Sequence, residues 1–166
     1  RRDPRGTIVI PRDRHGYAAR KLQNRLKLGL PHVADRIRFV PYQSVEGYFR
    51  LIQKADVLLD PIHYGGGLTS LDGLSFNKPI VTLPGNFSRG RFTYGFYRTM
   101  GVDECIAADP EDYVTRAVRI GTDAEWRRHV TDRIRQTSDV LFESQAAVAD
   151  YNRILGLFIE EAVRRG

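Results

Sequence analysis

The run Val57-Leu58-Leu59-Asp60-Pro61-Ile62-His63-Tyr64-Gly65-Gly66-Gly67-Leu68-Thr69-Ser70-Leu71-Asp72-Gly73-Leu74 carries the fold in miniature. It opens on an aliphatic run of strand length, passes through a loop rich in glycine, and reaches a segment where Thr69 and Ser70 suit the start of a helix. Strand, loop and helix in this order make the first half of a βαβ unit. Outward from it the alternation repeats. Thr7-Ile8-Val9-Ile10, Ile37-Arg38-Phe39-Val40, Ile80-Val81-Thr82-Leu83 and, more weakly, Cys105-Ile106-Ala107 are strand-like, with helix-patterned segments between them. The clearest of those segments aligns Val45, Tyr48, Phe49, Ile52 and Ala55 on one stripe, with Ser44 placed to cap it. The expected class is α/β: a Rossmann-like parallel sheet with helices on both faces.

After Ala107 the pattern is helical only. Asp109-Pro110 supplies a cap and a first-turn proline, and Thr122-Asp123-Ala124-Glu125 reads as a capping box ahead of Trp126, Val130 and Ile134. A final helix lines up Val148, Tyr151, Leu155, Phe158 and Ala162, and is expected to pack back across the sheet or onto a further domain. Residues 1–166 therefore read as a single domain, with a βα sheet region over 1–121 and C-terminal helices over 122–166.

Composition fits this. With 42% hydrophobic and 28% charged residues in 166, the chain has the material for a packed core, which excludes disordered and collagen-like classes. No apolar run approaches the roughly 18 residues of a membrane span, so a soluble, cytoplasmic protein is expected. Cys105, the single cysteine, allows no internal disulfide, and with only 4 histidines no zinc-ligand spacing arises. The net charge of +6 raises nucleic-acid binding as a rival reading, but the terminal arginines alternate with acids, as in Glu125-Trp126-Arg127-Arg128, which suits a solvated face. The opening Arg1-Arg2-Asp3-Pro4, with Met100 the sole methionine, reads as part of a longer protein.

In an open parallel sheet, ligands bind beyond the carboxyl ends of the strands. The loops there are Pro41-Tyr42-Gln43-Ser44, the stretch from Pro61 to Ser70, and Pro84-Gly85-Asn86-Phe87-Ser88-Arg89-Gly90-Arg91. Gly65, Gly66 and Gly67 let backbone N–H groups approach an anion, and the helix that follows presents its positive end. The run is neither a Walker loop nor a G-x-G-x-x-G fingerprint, and a plain flexible turn explains it as well. Asp72 is placed either to accept hydrogen bonds from a ribose diol or simply to complement the helix dipole. Tyr48 reads as core or as a platform for a base. Arg89 and Arg91 read as diphosphate contacts or as solvated cations, and His63 and Tyr64 as packing beside the turn. No Asp-x-Asp pair is present, which suits chemistry without a bound metal.

Beyond single loops, an ordered set of motifs runs along most of the chain: Arg36-Ile37-Arg38-Phe39-Val40-Pro41, Ala55-Asp56-Val57-Leu58-Leu59-Asp60, Asp72-Gly73-Leu74, Pro79-Ile80-Val81-Thr82-Leu83-Pro84-Gly85 and Ile106-Ala107-Ala108-Asp109-Pro110-Glu111-Asp112-Tyr113. Together they resemble the C-terminal catalytic half of the O-linked N-acetylglucosamine transferase and SPINDLY group. The resemblance implies a two-domain GT-B fold, usually preceded by tetratricopeptide repeats, in which this half holds a nucleotide sugar such as UDP-GlcNAc. It implies that the backbone at Gln43 and Ser44 edges the base. Tyr48 takes the place of a family histidine that stacks on uracil. Gly65, Gly66, Gly67, Leu68 and Thr69, with Ser70, would hold the diphosphate, Asp72 the ribose, and Arg91 matches a loop arginine. Two departures stand out: the family's His-Thr-Thr is Gly67-Leu68-Thr69 here, and its ribose-side lysine falls at Val45.

The activity implied is inverting, metal-independent transfer to a hydroxyl, of protein Ser/Thr by the same resemblance. No catalytic residue is assigned within the chain, since those groups are expected in an N-terminal half. No cofactor is expected. The expected partners are the nucleotide-sugar donor and a protein acceptor, with no membrane and no nucleic acid. The alternatives are a non-catalytic Rossmann-like nucleotide-binding domain or a basic nucleic-acid-binding module.

Overall fold

Two parallel ladders frame the protein in the computed structural model, which describes residues 3–142 and 144–165. β1 (Ile8–Pro11) pairs with β2 (Ile37–Val40), Ile8 opposite Ile37 through Pro11 opposite Val40, and α1 (Tyr17–Gly29) is the crossover. α2 (Val45–Lys54) leads on to β3 (Leu58–Leu59), which pairs in parallel with β4 (Ile80–Val81) across α3 (Leu68–Ser75). α4 (Phe92–Met100) carries the chain to a parallel bridge between Thr82 and Ile106.

The α/β class and the parallel pairing match expectation, but the single sheet does not. Among the described residues the strands form two separate two-stranded ladders, and Cys105-Ile106-Ala107 is one bridge, not a strand. That segment is hemmed in by a turn, Ile106 N–H donating to Asp103 O at 3.1 Å, and by the cap of the next helix at Asp109. At the ends of β3 and β4, backbone pairing gives way to a side-chain bond, the Thr82 hydroxyl donating to Asp60 Oδ2 at 2.7 Å.

The helices begin where their caps dictate. Ser44 Oγ accepts Gly47 N–H at 3.2 Å at the start of α2, and Asp109 accepts Asp112 N–H at 2.8 Å at the start of α5 (Pro110–Thr122), with Pro110 in its first turn. The cap of α6 (Ala124–Thr137) is Asp123, which accepts Trp126 N–H at 2.9 Å, and not Thr122 as the capping-box spacing suggests. α5 runs through Thr122, so that hydroxyl is taken by Val118 O of its own helix.

The core joins Leu74, Ile80, Val81, Tyr97, Met100, Val102, Cys105, Ile120, Val130 and Ile134. α3 lies close on the second ladder because Gly73 faces it: a Cβ there would sit 2.7 Å from Leu58 Cδ1 and 2.9 Å from Ile80 Cδ1. α7 (Asp139–Phe142) is a single turn, and α8 (Gln145–Arg165) follows with no buried residue. Of the two placements expected of its stripe, packing back across the sheet is not the one seen. Val148 is 55% and Phe158 64% exposed, because Ile120, Val130 and Ile134 of α5 and α6 already close the core. No described helix is long and apolar enough to cross a membrane.

Candidate functional site

The carboxyl ends of β3 and β4 open into two loops that grip each other. Gly65 N–H donates to Arg89 O at 2.8 Å, Arg89 Nε to His63 O at 3.4 Å, and a Cβ at Gly90 would stand 3.1 Å from Ile62 O. The first loop delivers the glycine run to the start of α3, where Gly67 occupies the cap position without a side-chain cap. None of the three glycines takes a positive φ. Close approach accounts for Gly66, where a Cβ would lie 2.5 Å from Ser70 Oγ and 2.7 Å from Thr69 Oγ1. A Cβ on Gly65 would lie 3.2 Å from both Asp60 carboxylate oxygens, whereas Gly67 has nothing within 4 Å and faces open space.

The N–H groups of this turn divide by direction. Gly65 and Gly66 turn inward, to Arg89 O and to Asp60 Oδ1 at 2.7 Å, so the turn does not offer the whole run to an anion. Gly67, Leu68 and Thr69 have N–H groups with no partner among the described residues, two of them in the first turn of α3 where a helix leaves its donors unpaired. Ser70 is 3% exposed and its hydroxyl lies 2.7 Å from that of Thr93, so it faces the core side of the turn.

The other residues singled out in the sequence each have surroundings of their own. Asp72, one turn into α3, is half-buried and its carboxylate has no hydrogen-bond partner among the described residues; its charge is felt by Tyr48. The Tyr48 hydroxyl is raised above its ordinary value, first by burial and then by Asp72, and its ring lies 5.7 Å from that of Phe49. Tyr48 of α2 is thus within electrostatic reach of Asp72 of α3. Arg91 donates to Gly85 O at 3.0 Å and lies over Tyr94 at 4.6 Å, while Arg89 lies over Phe87 at 4.6 Å; both arginines are exposed. Gln43 and Ser44 make their contacts inside their own turn, to Pro41 O and Gly47 N–H. Leu68 is 79% exposed and His63 and Tyr64 are also at the surface.

Sequence reasoning passed over the residues beneath the turn. Asp60, Thr82, Thr93 and Tyr113 connect β3, β4, α4 and α5 there: Tyr113 donates its hydroxyl to Asp60 O at 3.0 Å, and burial followed by the Asp60 charge pushes that hydroxyl up to about 12. The signal available was a carboxylate ending an aliphatic run, Asp60 after Val57-Leu58-Leu59, a residue type that enters an interior only with partners. A cavity of about 370 Å³ opens at the opposite end of β3 and β4, lined by Lys54, Asp56, Lys78 and Arg127 among others. Two of its cations serve helix ends there, Lys78 donating to Ala55 O and Arg127 to Ile120 O and Gly121 O.

The family model for glycosyl transferase family 41 matches residues 14–151 of this sequence. The chain belongs to glycosyl transferase family 41. A protein similar to this family 41 chain is the UDP-N-acetylglucosamine--peptide N-acetylglucosaminyltransferase of Caenorhabditis elegans, 32% identical over 124 residues, which are 74% of this chain and 11% of that protein. An O-GlcNAc transferase of Thermobaculum terrenum, solved as a mutant, matches the fold with a TM-score of 0.75 over 90% of this chain and 30% of its own, at 24% identity. This family 41 chain therefore spans about a tenth of the length of the curated relative, 11%.

Proposed function

We propose that this chain is the donor-binding half of a glycosyltransferase, taking a nucleoside-diphosphate sugar of the UDP-GlcNAc kind and passing the sugar, with inversion, to a hydroxyl of a protein acceptor. The observation that carries the reading lies at the start of α3: N–H groups of Gly67, Leu68 and Thr69 with no partner among the described residues, and one turn on the unpaired Asp72 carboxylate, whose charge reaches Tyr48. In the transfer, the acceptor oxygen attacks the anomeric carbon while the bond to the diphosphate breaks and its electron pair stays on the leaving oxygen. The groups of this half answer that growing charge. Three preorganised N–H donors, the Thr69 hydroxyl, the helix N-terminus and the Arg91 guanidinium act where a divalent cation acts in metal-dependent transferases. Asp72 accepts from the ribose hydroxyls, and Tyr48 offers the ring face to the base.

The charge distribution supports this reading over a nucleic-acid module. Many of the later arginines are engaged with acids, among them Arg98 with Asp103, Arg116 with Asp112, Arg133 with Glu104 and Arg165 with Glu161, which partly neutralises those helices toward a polyanion. The test is calorimetry of UDP and GDP on the complete protein. Asp72→Ala is expected to weaken the preferred nucleotide about tenfold, the loss of a hydrogen-bonded charge, with the melting temperature kept. Unchanged affinity removes Asp72 from the site, and binding that collapses with added salt points to a polyanion instead.

A further inference from the structure

We propose that Asp60 and Thr93 are positioning residues that hold Gly66 from both sides and thereby aim the outward N–H groups at the start of α3. Their role rests on the donor-diphosphate reading of that turn. Asp60 is 4% exposed and Thr93 fully buried, so neither is placed to touch a ligand. Asp60 Oδ1 accepts Gly66 N–H at 2.7 Å, which fixes the peptide before Gly66; Thr93 donates its hydroxyl to Gly66 O at 3.3 Å, which fixes the peptide after it. With the planes on both sides held, the most freely rotating residue type has its φ and ψ set. The peptide between Gly66 and Gly67 is trans, so drawing Gly66 O inward points Gly67 N–H the opposite way, toward the crevice.

Each grip is itself anchored. The second Asp60 oxygen accepts the Thr82 hydroxyl at 2.7 Å, the Asp60 N–H donates to Val81 O at 2.9 Å, and its carbonyl accepts the Tyr113 hydroxyl at 3.0 Å. Thr93 has one hydroxyl proton; with that proton on Gly66 O, as the clamp requires, Ser70 donates in the 2.7 Å contact between the two hydroxyls. The buried carboxylate is thus occupied by inward donors, and the outward ones stay available to an anion.

The test titrates UDP and GDP, and their monophosphates UMP and GMP, into the complete protein as wild type, Asp60→Ala, Asp60→Asn, Thr93→Val and Thr93→Ser. Hydrogen exchange of the peptide spanning the turn is followed in parallel. Asp60→Ala and Thr93→Val are expected to weaken the diphosphate about tenfold and the monophosphate by less than about twofold, with faster exchange of the turn. Asp60→Asn restores binding because its amide oxygen accepts from Gly66 N–H while its NH₂ donates to the Thr82 hydroxyl, and Thr93→Ser restores it by keeping the donor. Equal loss of mono- and diphosphate, wild-type affinity in Ala and Val, or failure of Asn and Ser to rescue overturns the assignment. If Asp60→Ala does not fold, the Thr93 pair decides by the same criteria. If the wild type binds neither diphosphate, the donor reading falls, and exchange decides the clamp separately: unchanged rates in the Ala and Val variants overturn it, and faster rates rescued by Asn and Ser uphold it.

Discussion

β1 and β2 share four register pairs and β3 and β4 only two, yet the shorter ladder carries both the core and the candidate site. Before Val57, Ala19 and Ile52 are the only buried hydrophobic residues among those described, and Ile8 and Val9 are each 46% exposed. Around β3 and β4, Leu74, Val81, Tyr97, Val102, Ile120, Val130 and Ile134 all stand at 0%. α8 belongs with the open part. The contrast separates two things that are easily conflated, regular backbone pairing and rigidity. At the site, position is held by side-chain hydrogen bonds rooted in a dry core, where each is electrostatically stronger than at a wet ladder.

The largest expected effect probes that contrast directly. Leu74→Ala removes a fully buried side chain and should cost about 2–5 kcal/mol, whereas Ile8→Ala, at 46% exposure, should cost about 1 kcal/mol or less. Thermal unfolding of the complete protein measures both. Equal losses would mean that the first ladder is as much part of the core as the second.

A smaller effect sharpens how the core is locked. The Tyr97 hydroxyl accepts Ile80 N–H at 2.8 Å, so Tyr97→Phe leaves that buried N–H without its partner, a cost of about 1–3 kcal/mol. Cys105, beside it, reports the opening. Burial pushes its thiol up to about 12, so in the closed protein at pH 8 it is both shielded and protonated. Labelling of Cys105 by a thiol reagent should be at least about fivefold faster in Tyr97→Phe than in wild type, and unchanged in Ile8→Ala. Equal acceleration by both would tie the first ladder to the opening of the core.

The sequence was most legible where local chemistry decides. Ser44 and Asp109 cap the helices expected of them, and the aliphatic runs at Ile8, Ile37, Leu58 and Ile80 are the paired strands. It was least legible where a residue's role depends on a partner far along the chain. Thr93 grips a carbonyl 27 residues away and Tyr113 one 53 residues away, spacings that no periodicity encodes. Ser70 shows the same limit: its hydroxyl beside the glycine run suggested a ligand contact, and only the packing of α4 turns it to Thr93. The stripe of α8 reads as amphipathic whether or not anything covers it, so its sequence could not say that its face stays open here.

The smallest expected effect compares two carboxylates held low by backbone N–H groups, one in each part. Asp112 accepts Ala108 N–H at 2.9 Å and, second, the Arg116 guanidinium at 2.8 Å, which holds it below its ordinary 3.8. Asp13, in the first part, is likewise lowered, chiefly by Ala19 N–H at 3.0 Å at the start of α1. A carboxyl whose folded value lies below its unfolded one stabilises the fold above the unfolded value and loses that contribution as pH falls through the folded value. Asp112→Asn should therefore lower the melting temperature of the Trp126 signal by no more than about 2 °C at pH 7, with the gap to wild type closing as pH drops below about 4. Asp13→Asn should follow the same pH sense in the exchange rate of α1 amides while leaving the Trp126 transition where it is. A shift of that transition by Asp13→Asn would show that the first ladder and α1 unfold with the body around β3 and β4.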